Sequence, residues 1–125
     1  LRLPTCEKIA DLEMKGNESI RRVYADYGKH PALTTMQGGH RQPKIFDFEK
    51  ELARKFTPLE CERGQTLPDN YTFVIGENEK QIVSNSQRYK MIGNGWTIDV
   101  VAHIFRHIAK KRIEDTVAEK GLLDE

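Results

Sequence analysis

Two capping boxes, at residues 57–60 and 84–87, constrain the fold of this chain more than any other feature of its sequence. The first reads Thr-Pro-Leu-Glu, which combines an N-cap hydroxyl, proline at the first helical position and glutamate at the third. It predicts a helix from Pro58 to about Arg63, with Gly64 as its stop. The second reads Ser-Asn-Ser-Gln and predicts another short helix.

This second helix is predicted to run through Met91 and to end at Gly93. The loop at residues 93–95, Gly-Asn-Gly, then permits positive φ at two positions. Thr97 is placed to cap a long amphipathic helix, whose apolar stripe contains Ile98, Val101, Phe105 and Ile108. The charged tail at residues 114–125 is expected to fray.

The first half of the chain favours strands and turns. Residues 19–48 predict a small antiparallel β unit, with strands near residues 20–24, 32–35 and 44–46. Gly38 and Gly39 lie in a polar loop whose bare backbone can approach a ligand closely, and a plain hairpin turn is the alternative. Phe48 and Leu52, four residues apart, predict a further helical segment over residues 47–55.

Composition narrows the class of protein. The 125 residues amount to one domain, with 38% hydrophobic residues and a net charge of +1. This composition excludes collagen-like and disordered classes. A membrane-spanning class is excluded because no apolar run approaches the roughly 18 residues that a bilayer requires. Cys6 and Cys61 are too few for a disulfide framework, which favours a reducing setting. Since Leu1 opens a polar stretch without a start signal, we expect a fragment of a longer protein.

Charge and motif patterns leave the chemistry open. Residues 15–44 carry six basic residues against two acidic ones, so this segment can face an anion, although a merely solvated face is the alternative. His103 and His107 have metal-ligand spacing, but Ile104 stands where a zinc-protease motif needs glutamate and no third ligand is evident. No metal site and no self-contained active site is predicted.

Longer blocks of sequence carry a resemblance. Residues 54–71, RKFTPLECERGQTLPDNY, resemble motif IX of the DNA cytosine-5 methyltransferases of bacterial or phage type. Residues 84–97, SNSQRYKMIGNGWT, are similar to motif X of that family. Residues 21–28, RRVYADYG, and 31–39, PALTTMQGG, resemble the second half of its target recognition domain.

The resemblance implies a mixed α/β fold, in which a small β-rich recognition part precedes C-terminal helices. In the whole enzyme these helices pack on a Rossmann-like methyltransferase domain that uses S-adenosylmethionine. The resemblance assigns residues 1–48 to the recognition domain, 49–113 to the motif IX and X segment, and 114–125 to a charged tail. It also implies a cytoplasmic bacterial setting, restriction-modification and double-stranded DNA as partner.

In the family, a cysteine thiolate attacks a flipped cytosine, and S-adenosylmethionine methylates C5. The family's Pro-Cys, Glu-Asn-Val and cofactor-turn motifs do not occur in this sequence. Neither Cys6 nor Cys61 is therefore assigned as the catalytic thiol, and the chain alone is expected to be inactive. Its own N-terminal catalytic domain is the implied partner, and the apolar stripe of the long helix is expected to favour self-association.

Site residues follow from the matched positions. Arg22 is the first choice for reading guanine, with Arg21 as the second, since alternation along a strand points the two to opposite faces. Further expected DNA contacts are Thr34, Gln37, Gly38, Gly39, His40 and Arg41. The cofactor wall is expected at Asn94, Gly95 and Trp96. Domain-organising ion pairs are expected at Arg54, Glu60 and Arg63, and ordinary surface salt bridges are the alternative for these three.

Two other functions remain open from the sequence. One is a catalysis-free methyltransferase-like module that binds DNA or regulates a partner. The other is a small scaffold or protein-binding domain with accidental motif matches, which would show no salt-dependent binding to duplex DNA.

Overall fold

The computed structural model describes residues 5–36 and 40–123. These residues form one four-stranded sheet and four helices. The order along the chain is β1 (Lys8–Asp11), α1 (Glu18–Arg21), β2 (Arg22–Ala25), β3 (Lys44–Asp47), β4 (Leu52–Lys55), α2 (Pro58–Gly64), α3 (Asn85–Asn94) and α4 (Ile98–Leu123). The predicted mixed α/β class, with strands first and helices after, is confirmed.

The sheet has the order β1-β2-β3-β4, and its central pair is parallel. β1 pairs with β2 and β4 pairs with β3 in antiparallel fashion. The predicted antiparallel unit is therefore wrong at its centre. The reason is the long connection over residues 26–43, which exceeds the dozen or so residues that a parallel crossover needs.

Residues 32–35, predicted as a strand, are irregular chain inside that connection. Here the backbone lies against α3 at Gly93. A Cβ atom built on Gly93 would be 1.9 Å from the carbonyl oxygen of Thr34 and 2.6 Å from the nitrogen of Thr35. Close packing against a helix thus takes the place of strand pairing in this segment.

Two further predictions of local structure are wrong. The strand expected at residues 20–24 begins only at Arg22, because α1 precedes it with acidic Glu18 in its first turn and basic Arg21 in its last. The helix expected over residues 47–55 is a tight turn followed by β4. The backbone N–H of Lys50 donates to Asp47 Oδ1 at 3.1 Å, and this side-chain turn folds the segment into a hairpin.

Both capping boxes are confirmed, each with reciprocal side-chain and backbone hydrogen bonds. α2 begins at Pro58 as predicted and includes Gly64. α3 continues past Gly93 to Asn94, and Gly95 has a φ of −77°, so the predicted positive-φ loop is wrong. Glycine at position 93 serves the close approach to Thr34 rather than a turn.

α4 begins at Ile98 as predicted, but its N-terminus is capped from outside. The hydroxyl of Thr97 donates to Gln65 Oε1 at 2.8 Å, while Thr66 Oγ1 accepts the backbone N–H of Asp99 at 2.9 Å. The helix is continuous to Leu123. The fraying expected from residue 114 onwards is therefore not observed between residues 114 and 123.

The core lies where the connection after β2 meets α2 and α3. Met36, Cys61 and Ile92 are buried together, one from each of these segments. Partly buried side chains pack against them, namely Leu33, Phe56, Leu67 and Tyr89. The hydroxyl of Tyr89 donates to the carbonyl of Phe56 at 2.6 Å, so its polar end is satisfied. This small core holds the strand-bearing half of the chain against the helices.

Candidate nucleic-acid and cofactor sites

A cleft of about 460 Å³, here called the β2 cleft, opens beside the first strand after α1. Its lining comes from three separate stretches: Asn17, Ser19, Ile20, Arg22 and Tyr24; Pro31, Ala32 and Thr34; and Arg41, Gln42 and Pro43. Three predicted DNA-contact residues, Arg22, Thr34 and Arg41, therefore lie in one concavity. They come from positions well separated in the chain, so the fold brings them together.

Strand alternation explains how β2 presents its part of this cleft. Val23 and Ala25 are buried on one face, while Arg22 and Tyr24 are partly exposed on the other. The Arg22 guanidinium donates through Nε and Nη2 to Glu18 Oε1, at 3.3 and 3.0 Å. A guanidinium has five N–H donors, so most remain for another partner. Glu18 therefore orients the Arg22 side chain but uses only part of its hydrogen-bond donors.

The second-choice arginine has a different environment. Arg21 ends α1, so the expected alternation of Arg21 and Arg22 along one strand is wrong. The Nε atom of Arg21 is buried without a hydrogen-bond partner among the described residues. Arg21 does not line the β2 cleft, whereas Arg22 does.

The loop before β3 also lines the β2 cleft, through Arg41, Gln42 and Pro43. Arg41 is exposed there, and His40 has a φ of +58°. His40 is not part of the cleft lining, and its Nδ1 accepts from Lys55 Nζ at 3.2 Å. Gln37, Gly38 and Gly39 lie outside the described residues.

A second cleft of about 430 Å³, the α4 cleft, lies where α3 ends and α4 begins. It is lined by His30, Ala32, Leu33, Gln65, Gly95, Trp96, Thr97, Val100 and Val101. Two of the three predicted cofactor residues, Gly95 and Trp96, are in this lining. Asn94, the last residue of α3, is not. The Trp96 side chain is 71% exposed, which leaves its ring free to stack on a planar group.

Buried Gln65 holds the wall of the α4 cleft in place. Its Nε2 donates to the carbonyls of Ile92 and Gly95, at 3.2 and 3.4 Å. The backbone carbonyl of Gln65 accepts the backbone N–H of Ile98 at 3.0 Å. One residue thus ties the end of α2 to both helices that border the cleft, through its side chain to the end of α3 and through its backbone to the start of α4. No feature of the sequence alone indicated this role.

The three predicted domain-organising residues all form ion pairs. Arg54 and Glu60 make a two-pronged pair between β4 and α2, at 2.7 and 2.9 Å, and Arg54 also lies 3.5 Å from Asp47. Arg63 pairs with Asp69 at 2.6 and 2.8 Å. The Arg54 guanidinium, against an opposing effect of burial, lowers the pKa of Glu60 to about 2, with help from Thr57.

Sequence reasoning missed a buried ionic network beside them. Glu62, 0% exposed, accepts from the backbone of Asn70 and Thr72 at 2.8 and 2.9 Å and from Arg88 Nη2 at 3.0 Å. Burial alone would raise the pKa of Glu62, but these hydrogen bonds hold it below its ordinary value. The sequence signal that could have revealed the burial of Glu62 is helical spacing. Glu62 lies four residues after Pro58, which is also buried, so the two fall on the same face of α2.

Other chemistry-bearing groups have structural explanations. Burial, then the charges of Glu60 and Glu62, raise the pKa of the Cys61 thiol to about 12, which opposes a nucleophilic role. His103 and His107 contact each other through Nε2 at 3.0 Å on the exposed surface of α4. Over residues 5–36 and 40–123, no cluster of three potential metal ligands occurs. In the same residues, no helix is long and apolar enough to cross a membrane.

Comparison with known proteins agrees with the resemblance. The chain is 30% identical, over 80% of its length, to the orphan methyltransferase M.SPBetaI of Bacillus phage SPbeta. The same values hold for the putative type II methyltransferase M.BsuMIIP of Bacillus subtilis strain 168. A shorter match of 37 residues is 51% identical to the orphan methyltransferase M.Rho11sI of Bacillus phage rho11s, covering 30% of this chain and 7% of that protein.

The chain covers 32% of the length of the first two relatives, about a third of each. A family described as C-5 cytosine-specific DNA methylase matches residues 5–110, which include the sheet, α2, α3 and the first half of α4. This match extends over both clefts and most of the chain. The predicted family is confirmed: the chain belongs to the C-5 cytosine-specific DNA methylases.

Proposed function

We propose that this chain is the recognition and cofactor-wall part of a DNA (cytosine-5) methyltransferase. The whole enzyme would transfer a methyl group from S-adenosylmethionine to C5 of cytosine in duplex DNA. Family membership and relatives named as methyltransferases support the activity. The observation that carries the role of this part is the meeting of Arg22, Thr34 and Arg41 in the β2 cleft.

The chemistry of the β2 cleft suits the major-groove edge of a base pair. Arginine reads guanine by donating to O6 and N7, which is the commonest base-specific contact. Arg22 has free donors and a side chain oriented by Glu18. Arg41 is exposed in the same lining, and the hydroxyl of Thr34 can donate to a base or phosphate. We assign Arg22 the base-reading role and include Gln37, Gly38, Gly39, His40 and Arg21 among the proposed DNA contacts.

The α4 cleft suits one wall of a cofactor site. Val100, Val101 and Leu33 supply apolar surface, and the Trp96 ring is available for a purine. A Cβ on Gly95 would make only ordinary contacts, at 3.4 and 3.6 Å, so packing does not demand glycine there and close approach of a ligand gives it a reason. S-adenosylmethionine supplies the methyl group when bound, and Gly95, Trp96 and nearby Asn94 would hold one side of it.

The remaining parts of the proposal concern the rest of the protein. We assign residues 1–48 to the recognition domain, 49–113 to the return towards the catalytic domain and 114–125 to the tail. No catalytic residue is assigned in this chain, so an N-terminal catalytic domain is the proposed partner. The exposed apolar face of α4 supports either docking to that domain or self-association of the isolated chain. A cytoplasmic location in a bacterial host is part of the same proposal.

The test is methyl transfer to duplex DNA by the full-length parent protein, with labelled S-adenosylmethionine. Arg22→Ala is compared with Lys50→Ala, which removes an exposed charge in the β3–β4 turn away from the β2 cleft. We expect C5 methylation that loses site selectivity in Arg22→Ala only. A folded, cofactor-binding parent that transfers no methyl group would refute the enzyme activity. Unchanged selectivity in Arg22→Ala would refute the role of Arg22.

A further inference from the structure

The side chain of Lys44 is buried in an unusual way for a lysine. It begins β3, and the residue is 5% exposed. Its ammonium donates to three backbone carbonyls: those of Ile20 at 2.6 Å, His40 at 2.7 Å and Gln42 at 3.3 Å. An ammonium has three donors, so its hydrogen-bonding capacity is used in full. No carboxylate among the described residues pairs with it within 4.0 Å.

The three carbonyls belong to two of the chain segments that form the β2 cleft. Ile20 precedes the α1–β2 junction that presents Arg22, and its carbonyl is one of the orphan acceptors at the end of a one-turn helix. His40 and Gln42 flank Arg41 in the loop before β3. One positive charge therefore joins the backbone shortly before Arg22 to the backbone on both sides of Arg41.

A compact charge suits this position better than any other group. Three carbonyl dipoles converge on one point, and a point charge with three freely rotating donors satisfies all of them. A planar guanidinium has a fixed fork and cannot converge on one point in the same way. Three accepting carbonyls favour the protonated ammonium, while burial, and to a smaller extent Lys55, lower the pKa of Lys44. An apolar replacement would leave three carbonyls without a donor.

We propose that Lys44 is a positioning residue that sets the spacing between Arg22 and Arg41 in the β2 cleft, and so governs discrimination between DNA sequences without touching DNA. This inference rests on the proposed function, in which the β2 cleft reads DNA. It concerns selectivity rather than overall affinity, because a lysine buried against carbonyls does not contact phosphates.

The experiment uses the full-length parent protein with Lys44→Met, and with Lys50→Met as the control that removes one exposed charge from the same hairpin. Dissociation constants are measured for the cognate duplex and for a duplex of scrambled sequence, over a series of salt concentrations. Discrimination is the Kd for the scrambled duplex divided by the Kd for the cognate duplex. We expect Lys44→Met to lower this ratio at least tenfold, while the dependence of binding on salt concentration stays unchanged. Lys50→Met should leave the ratio unchanged.

A second variant keeps the inference testable where Lys44→Met does not fold. Lys44→Arg retains the charge, and we expect it to fold, to keep kcat at saturating DNA and to raise KM for the cognate duplex while the ratio still falls. Full discrimination by folded Lys44→Met, or by Lys44→Arg, would overturn the positioning role. A double variant that combines Arg22→Ala and Arg41→Ala tests the proposed function separately. If this double variant discriminates fully between the two duplexes, the β2 cleft is not the reading site and the proposed function itself fails.

Discussion

Gly93 is the position where a single added carbon atom should most damage this structure. A Cβ there would lie 1.9 Å from the Thr34 carbonyl oxygen and 2.3 Å from the carbon of the same group. Both are backbone atoms and cannot rotate away, so α3 and the segment at Thr34 must separate by more than about 1 Å. That movement also opens the core between Met36 and Ile92.

The expected cost can be worked from these contacts. Overpacking a rigid site costs roughly 1–3 kcal/mol, and separating a packed core adds a cavity term. Alanine regains up to about 1 kcal/mol of helix propensity relative to glycine. Because the added Cβ meets backbone atoms that cannot rotate away, we place the net loss at about 3 kcal/mol. At roughly 4 °C per kcal/mol for a domain of this size, the melting temperature should fall by about 12 °C.

Urea unfolding followed by circular dichroism at 222 nm measures this loss. Gly121→Ala is the matched control, since a Cβ there meets nothing within 4 Å among the described residues of α4. Its effect should lie within about 0.5 kcal/mol of zero, on the stabilising side. A Gly93→Ala variant as stable as the parent chain, or an equal loss in Gly121→Ala, would refute the reasoning.

Three other outcomes are expected. Glu62→Gln should cost about 3 kcal/mol in urea unfolding, because it leaves a buried arginine without its counter-charge, and an unchanged midpoint would contradict this. Iodoacetamide at pH 7 should label Cys6 in the folded chain but Cys61 only in denaturant, as mass spectrometry can show, because burial raises the pKa of Cys61 to about 12. The pairing that lowers the pKa of Glu60 to about 2 should stabilise fully above pH 4.5 and be lost as the pH falls towards 2; acid titration of Glu60→Gln should lack this component.

Part of the candidate site could be predicted from the sequence, because residues at matched motif positions can be identified without knowing the tertiary structure. Arg22, Thr34 and Arg41 were singled out by resemblance and polar character, and the structure places all three in the β2 cleft. Gln65 and Lys44 were not singled out. Their roles depend on backbone carbonyls up to 30 and 24 residues away in the chain, which leave no trace in local sequence pattern.

The start positions of α2, α3 and α4 and the mixed α/β class of the fold follow from local sequence signals. Capping boxes act within four residues, and amphipathic stripes repeat every turn, so α2, α3 and α4 begin where these local rules predict. Only tertiary structure decided the parallel pairing of β2 with β3, the turn that makes β4 a strand, and the function of Gly93 as a contact point. Each of these depends on segments far apart in the chain, where packing outweighs the small energies of local propensity.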